Sequence, residues 1–147
     1  MPDEIRIDPE REAFDAFKAL PRDRVVEMLN LVRFRDVAVY PAGHPHAEGT
    51  VTGSEAYRRY SECSGPVFAR VGGSIIWSAR PELVLIGPSD EDWDVAFVAR
   101  YPNASAFLEM VTDEEYRRAV VHRQAAVRTS RLIRTQPRPT PSGAQFG

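Results

Sequence analysis

The chain has 147 residues, of which 43% are hydrophobic and 27% charged, a size and composition typical of one globular domain. Its formal net charge of −2 provides no basic surface for nucleic acid, and no apolar run approaches the roughly 20 residues that span a bilayer. The first residues are polar and acidic, unlike a signal peptide, and the single cysteine cannot form an internal disulfide. These features predict a cytoplasmic protein without nucleic-acid or membrane partners.

The first predicted element is a short amphipathic helix from Asp8 to Leu20, with Asp8 as its cap and Pro9 in its first position. A largely apolar strand follows from Val25 to Phe34. The next segment, 36–53, contains two prolines and three glycines. A segment of this length without regular structure is usually a lid, a binding loop or a partner contact.

A second helix is predicted to begin at Thr52, because Thr52 and Glu55 have the spacing of a capping box. Pro66 is expected to kink this helix or to end its regular part. The sequence SIIWSARPELVLIG (residues 74–87) then predicts a strand that bends near Pro81.

A third strand is predicted over residues 93–102, where apolar and polar side chains alternate. Asn103 should cap the next helix. The sequence TDEE (residues 112–115) provides a second capping box, from which the helix runs to about Val127. The last strand is SRLIRTQ, residues 130–136.

After the N-terminal helix, the order of elements is β-α-β-β-α-β, which is typical of the ferredoxin-like α+β fold. The expected four-stranded antiparallel sheet carries both helices on one face, so its other face needs a cover. A second subunit would supply that cover and complete a dimeric α+β barrel, which predicts a homodimer. We expect an N-terminal helical extension at 1–22, the barrel domain at 23–136 and a Pro-rich tail at 137–147.

Asn30 and Arg33 are polar residues in an otherwise apolar strand, where each costs free energy unless it is satisfied. Asn30 either satisfies a backbone group or orients a carbonyl or hydroxyl of a ligand between sheet and helices. Arg33, near the strand end, either pairs with a carboxylate or binds an anionic ligand. Both alternatives remain open for each residue.

Several other side chains are candidates for the same site. Tyr57 and Tyr60 lie one helical turn apart, and Trp77 could form a wall of a pocket, although large aromatics in such positions are usually core residues. His122 is a candidate general acid or base, although a lone helical histidine is more often structural. Arg123, beside it, is a candidate ligand-binding residue.

The sequence HPH, residues 44–46, could suggest a metal site with His122 as its third ligand. No carboxylate accompanies these residues at a recognised spacing. There is also no glycine-rich phosphate loop between a strand and a helix. We therefore predict neither a metal nor a cofactor.

Several stretches carry a family resemblance: MLNLVRFRDVAVYP, SEAYRRYSE, RVGGSIIW and VLIGPSDEDWDVAFVARYPNASAFLEMVTDEEYRRAVVHRQAAV. Together, over about residues 25–135, they resemble the domain-of-unknown-function family numbered 1330, of the dimeric α+β barrel superfamily. The resemblance implies the ferredoxin-like dimer and no particular reaction. Relatives in the superfamily include cofactor-independent monooxygenases, haem enzymes, isomerases and polyketide cyclases, and a shared fold does not choose among them.

Two classes of function fit these observations. The first is a cofactor-independent enzyme of the monooxygenase, isomerase or cyclase type, acting on a small aromatic or polyketide-like acid. In it, Asn30 and Tyr57 polarise a carbonyl and His122 moves a proton. The alternative is a non-catalytic dimer, which binds a small ligand in the same pocket or is purely structural. The sequence does not decide whether the protein is an enzyme.

Overall fold

The computed structural model describes residues 5–139 and contains four helices and four strands in this part of the chain. None of the described helices is long and apolar enough to cross a membrane. In chain order, the elements are α1 (Arg11–Ala19), β1 (Val26–Phe34), α2 (Gly53–Arg70), β2 (Ser74–Ala79), β3 (Val95–Tyr101), α3 (Ala104–Thr112), α4 (Glu114–Ala126) and β4 (Val127–Thr135).

The four strands form one antiparallel sheet in the order β2-β3-β1-β4. The first and third strands occupy the centre, because β1 pairs with both β3 and β4. Helix α2 connects β1 to β2, and α3 with α4 connects β3 to β4. This is the ferredoxin-like arrangement, so the predicted fold class is confirmed.

The alternation of side chains along β1 sets the two faces of the sheet. Val26, Met28 and Val32 are buried in the core between the sheet and the helices. We call this side the helix face. The opposite side, which we call the open face, carries Trp77 of β2 and Ile133 of β4, whose side chains remain 51% and 47% exposed.

Polar side chains cap three of the helices, two of them at the predicted residue. The Thr52 hydroxyl accepts a hydrogen bond from the Glu55 amide at 3.1 Å, as the capping box predicts. The Asn103 side chain likewise caps α3. Helix α4 is capped by Asp113 rather than by Thr112, whose hydroxyl instead donates to a carbonyl one turn earlier in α3.

Two predicted boundaries are wrong, the start of α1 and the end of β2. Helix α1 begins at Arg11, two residues after Pro9, and no side chain caps it. Of the two effects expected of Pro66, an end to the helix does not occur, because α2 continues through Pro66 to Arg70. Strand β2 stops at Ala79, because its partner β3 begins only at Val95 and offers no backbone groups to the residues beyond.

The connection from β2 to β3 is extended and largely exposed. Leu83, Leu85 and Ile86 in this connection are 79%, 85% and 94% exposed. Exposure of three large apolar side chains within four residues is unusual for the surface of a monomer. Of the predicted Pro-rich tail, residues 140–147 lie outside the described part of the chain.

Candidate functional site

A cleft of about 1380 Å³ lies between the helix face of the sheet and the helices that cover it. All four strands contribute to its floor, α2, α3 and α4 cover it, and the N-terminal segment with α1 forms another side. Its apolar lining includes Phe14, Phe17, Met28, Phe34, Phe68, Phe97, Phe107, Met110 and Val120. The volume exceeds that of most small-molecule pockets, so the cleft has room for a ligand of several rings.

Asn30 lies on the floor of this cleft, between Phe97 of β3 and Leu132 of β4. Its amide nitrogen donates a hydrogen bond to the Met28 carbonyl at 3.0 Å. This half of the side chain therefore satisfies a backbone group, the first of the two predicted alternatives. The amide oxygen has no hydrogen-bond partner among residues 5–139. The free oxygen can therefore accept a hydrogen bond from a ligand.

Tyrosine hydroxyls line the wall of the cleft formed by α2 and α4. The hydroxyls of Tyr60 and Tyr116 lie 2.9 Å apart and bond to each other. Tyr57 packs on Phe34 and Tyr60, with ring centroids 5.1 and 5.3 Å apart, and its hydroxyl has no partner within the described chain. Burial and the neighbouring Tyr60 raise the pKa of Tyr57, so its hydroxyl stays protonated and can donate to a ligand.

Arg123 of α4 supplies positive charge to the same cleft. Its guanidinium donates to the Ile7 carbonyl and, at 3.1 Å, to the Ser130 hydroxyl. Arg123 also lies close enough to Tyr57 for its charge to oppose the rise in the Tyr57 pKa. All the described partners of Arg123 are neutral, so no carboxylate of residues 5–139 forms an ion pair with it.

Arg134 of β4 anchors the N-terminal helix along another wall. It donates to the carbonyls of Phe17 and Pro21, and its guanidinium lies 4.8 Å from the centre of the Phe17 ring. Phe17 in turn packs on Phe107 at 5.0 Å. The N-terminal segment is thus part of the cleft, because its backbone carbonyls accept hydrogen bonds from Arg134 of the sheet and Arg123 of α4.

Two carboxylates, Asp8 and Glu10, also border the cleft. Both residues are exposed, and both carboxylates have other partners, Gln124 for Asp8 and Arg6 for Glu10. They lie at the rim and leave the interior with a surplus of positive charge.

The predicted site residues therefore separate into two groups. Asn30, Tyr57, Tyr60 and Arg123 line one cleft, although their roles in binding or catalysis remain proposals. His122 is outside the cleft, which corrects the expectation that it acts beside Asn30 and Tyr57. The reason is that His122 is adjacent to Arg123 on α4, and neighbouring helical residues point about 100° apart.

Arg33 and Trp77 do not line the cleft either, so the structure does not bring them to the predicted ligand site. Trp77 pairs with Val98, which alternates with the floor residues Phe97 and Ala99, and therefore belongs to the open face. Arg33 alternates with Val32 and Phe34 in the same way, at a bulge near the end of β1.

His122 instead joins Tyr40, His44 and His46 of segment 36–53, and we call these four residues the histidine cluster. The Tyr40 hydroxyl is 2.8 Å from His122 Nδ1, and the Tyr40 ring stacks on His44 with centroids 4.6 Å apart. The three imidazole centroids lie 5.5 to 6.2 Å from one another. Within residues 5–139, however, no group of three His, Cys, Asp or Glu side chains is arranged to hold a metal ion.

Sequence reasoning missed Tyr116, Ser130 and Arg134 as residues of the cleft. A signal existed for Tyr116, which precedes Arg123 by seven residues and therefore shares its side of α4. The alternation of β4 likewise places Ser130, Leu132 and Arg134 on one face. Nothing local showed that this face is the floor of the cleft.

Comparison with known proteins supports the fold. The family model described as "Domain of unknown function (DUF1330)" matches residues 46–135. A protein of unknown function from Rhodopseudomonas palustris is 50% identical, with a TM-score of 0.85 over 93% of this chain and 100% of that chain. Its methylated form aligns at 50% identity and a TM-score of 0.86, over 95% and 98% of the two chains.

A more distant structure, a cofactor-independent oxygenase from Streptomyces nogalater, is 15% identical, with a TM-score of 0.51 over 82% of this chain and 99% of that chain. At this identity the likeness shows the fold alone. No curated protein matches the chain.

Proposed function

The chain belongs to the DUF1330 family, described as a domain of unknown function, and we propose that its cleft binds a small organic acid with an apolar body. The observation that carries the proposal is Arg123, a cation with only neutral described partners in a mainly apolar cleft. Holding a charge in such surroundings is costly without a counter-ion. A ligand carboxylate would supply that counter-ion.

The neighbouring hydroxyls and amide fit the same ligand. The unpartnered Tyr57 hydroxyl donates to the carboxylate that Arg123 attracts, and the free Asn30 oxygen accepts from a hydroxyl on the ligand body. The phenylalanines around them contact an aromatic or polyketide-like ring system by apolar burial. A few polar groups in an apolar concave site are typical of small-molecule binding.

The proposal is for binding rather than turnover. His122, the predicted proton carrier, lies in the histidine cluster, where its Nδ1 bonds to Tyr40. A cofactor-independent oxygenase shares the fold, but fold alone does not transfer a reaction. The groups that remain in the cleft account for recognition of an acid.

We also propose that the protein is a homodimer through its open face. Trp77 and Ile133 on this face, and Leu83, Leu85 and Ile86 in the β2–β3 connection, are large apolar side chains exposed to solvent. The helices cover only the other face of the sheet. A second copy of the chain would bury these residues together, as the resemblance to dimeric α+β barrels implies.

The binding proposal is tested with a matched pair of probes, 1-naphthoic acid and its uncharged amide, 1-naphthamide. We expect calorimetric titration to show tighter binding of the acid by about tenfold or more, because hydrogen bonds to charged groups contribute about 1.5–3 kcal/mol. Arg123→Gln should remove this preference, whereas Arg123→Lys should retain part of it.

Arg118→Gln is the matched control, since Arg118 also belongs to α4 but is exposed and pairs with Glu114. It should leave the preference for the acid unchanged. Equal affinity for acid and amide in the unmodified protein would contradict an acid site. Failure of both probes to bind would favour a purely structural dimer.

A further inference from the structure

We propose that the histidine cluster and Arg59 of α2 form a second binding site, for a small oxyanion such as phosphate. This site lies against the side of α4 that does not line the cleft, and it does not depend on the function proposed for the cleft. Its ligand would be held by one guanidinium and by imidazole and phenol groups.

Several hydrogen-bond donor groups converge at the histidine cluster. Segment 36–53 places His44 and His46 against His122, and Tyr40 contacts all three rings, with centroids 4.6 to 5.5 Å away. The His44 ring accepts a hydrogen bond from the backbone amide of His46 at 3.1 Å, which orients that ring. An imidazole is a hydrogen-bond donor to an anion in both its neutral and its charged form.

Arg59 has a buried side-chain nitrogen that lacks an acceptor in the described part of the chain. Its Nη1 atom is buried and has no hydrogen-bond partner among the described residues. Its neighbour Arg58, by contrast, is exposed and pairs with Glu62. A buried donor without an acceptor costs free energy, and a bound anion is a natural acceptor for a guanidinium.

Electrostatics connect Arg59 to the cluster and favour an anion over a metal. Burial and the charges of Arg59 and the other imidazoles lower the pKa values of His46 and His122. Arg59 therefore lies close enough to create a positive potential at these rings. This potential repels a divalent cation and attracts an oxyanion.

The same charges give a pH dependence whose sign can be worked out. The groups that face the site are Arg59 of α2, His122 of α4, and Tyr40, His44 and His46 of segment 36–53. Without ligand, the lowered pKa values favour the neutral forms of His46 and His122. A bound anion favours their protonated forms, so it raises their pKa values and binds more tightly as the pH falls.

The test is an NMR pH titration of the histidine ring signals, with and without inorganic phosphate at constant ionic strength. We expect phosphate to raise the pKa values of His46 and His122 in the unmodified protein. The effect should be lost in Arg59→Gln, with phosphate affinity reduced about tenfold or more, and retained in the matched control Arg58→Gln.

Two further measurements keep the test decisive. Arg59→Lys preserves the charge and should retain part of the effect. Thermal unfolding should show that Arg59→Gln is folded, because the Nη1 atom that it removes has no described hydrogen-bond partner. Equal phosphate effects in Arg59→Gln and the unmodified protein would mean an adventitious ion only, and would overturn the proposal. Absence of a phosphate effect, or tight binding of Zn²⁺ to the cluster instead, would also overturn it.

Discussion

Among single residues, the geometry of α4 explains why His122 and Arg123, although adjacent, lie in different sites. Tyr116, Val120 and Arg123 follow one another at helical spacing and line the cleft. Val121 and His122 point away from them, toward the core and the histidine cluster around segment 36–53. Arg123, which carries the charge in the cleft, and His122, which carries an imidazole of the cluster, are thus consecutive residues.

The Tyr57 hydroxyl should contribute to acid binding and not to folding. Tyr57→Phe is expected to weaken 1-naphthoic acid binding about two- to tenfold, the usual contribution of one hydrogen bond. The free energy of unfolding should hardly change, because the hydroxyl has no partner in residues 5–139. Calorimetric titration and denaturant unfolding measure the two quantities.

Tyr60→Phe is the matched comparison. This change breaks the 2.9 Å bond to Tyr116 and should lower the free energy of unfolding by about 1 kcal/mol. An unaltered acid affinity in Tyr57→Phe would show that this hydroxyl does not face the ligand.

The sequence pattern predicted where Asn30 and Tyr57 lie but not where His122 lies. Period-two alternation along β1 and helical spacing along α2 were enough to place Asn30 and Tyr57 on facing layers. The position of His122 depended on which side of α4 segment 36–53 would cover. That segment has no periodic pattern, so its path follows from long-range packing rather than from local sequence.

At the scale of elements, the start of α2 is fixed by a close backbone approach. A Cβ atom added at Gly53 would lie 2.1 Å from the Arg35 carbonyl oxygen and 2.9 Å from that of Ala126. The Gly53 amide also donates to the Arg35 carbonyl at 3.1 Å. Only glycine lets the start of α2 approach Arg35, just after β1, and the end of α4 at this distance.

Gly53→Ala should therefore destabilise the fold by about 1–3 kcal/mol, the usual cost of overpacking a rigid site. Gly65→Ala, in the same helix, is the control, since an added Cβ there meets no atom within 4 Å apart from its two chain neighbours and the backbone of its own helix. It should change the free energy of unfolding less than Gly53→Ala does, because the higher helix propensity of alanine is opposed by the restriction that Pro66 places on the residue before it. Chemical denaturation measures both, and similar effects of the two changes would contradict the packing described at Gly53.

Element boundaries show where local patterns stop being informative. The two side-chain caps at Thr52 and Asn103 were predictable, because a cap bonds to residues two or three positions away. The end of β2 was not, since residues 80–87 have a strand-like composition but no partner strand. Strand length depends on the neighbour, which local sequence does not reveal.

At the scale of the whole molecule, the two faces of the sheet have different roles. The helix face forms the cleft, while the open face and the β2–β3 connection carry exposed apolar side chains. Sequence order was sufficient to predict this division, because two helices cover only one face of a four-stranded sheet. The participation of the N-terminal segment in the cleft became clear only from its contacts with Arg123 and Arg134.

The proposed dimer should be sensitive to charge on the open face. Ile133→Glu is expected to convert a dimer into a monomer at micromolar concentration, because the charge would be buried without a partner. Glu109→Lys, on the exposed side of α3, is the control and should leave the dimer intact. Analytical ultracentrifugation distinguishes the two states, and a monomeric unmodified protein would contradict the assignment.

The proposed acid site is best tested by a crystal structure of the protein with 1-naphthoic acid. We expect the naphthalene ring to lie among the phenylalanines of the cleft, with its carboxylate within hydrogen-bond distance of Arg123 and Tyr57. The Arg123 contact with the Ile7 carbonyl should then be shared or replaced. A ligand bound outside the cleft, or one whose carboxylate points away from Arg123 into solvent, would contradict it.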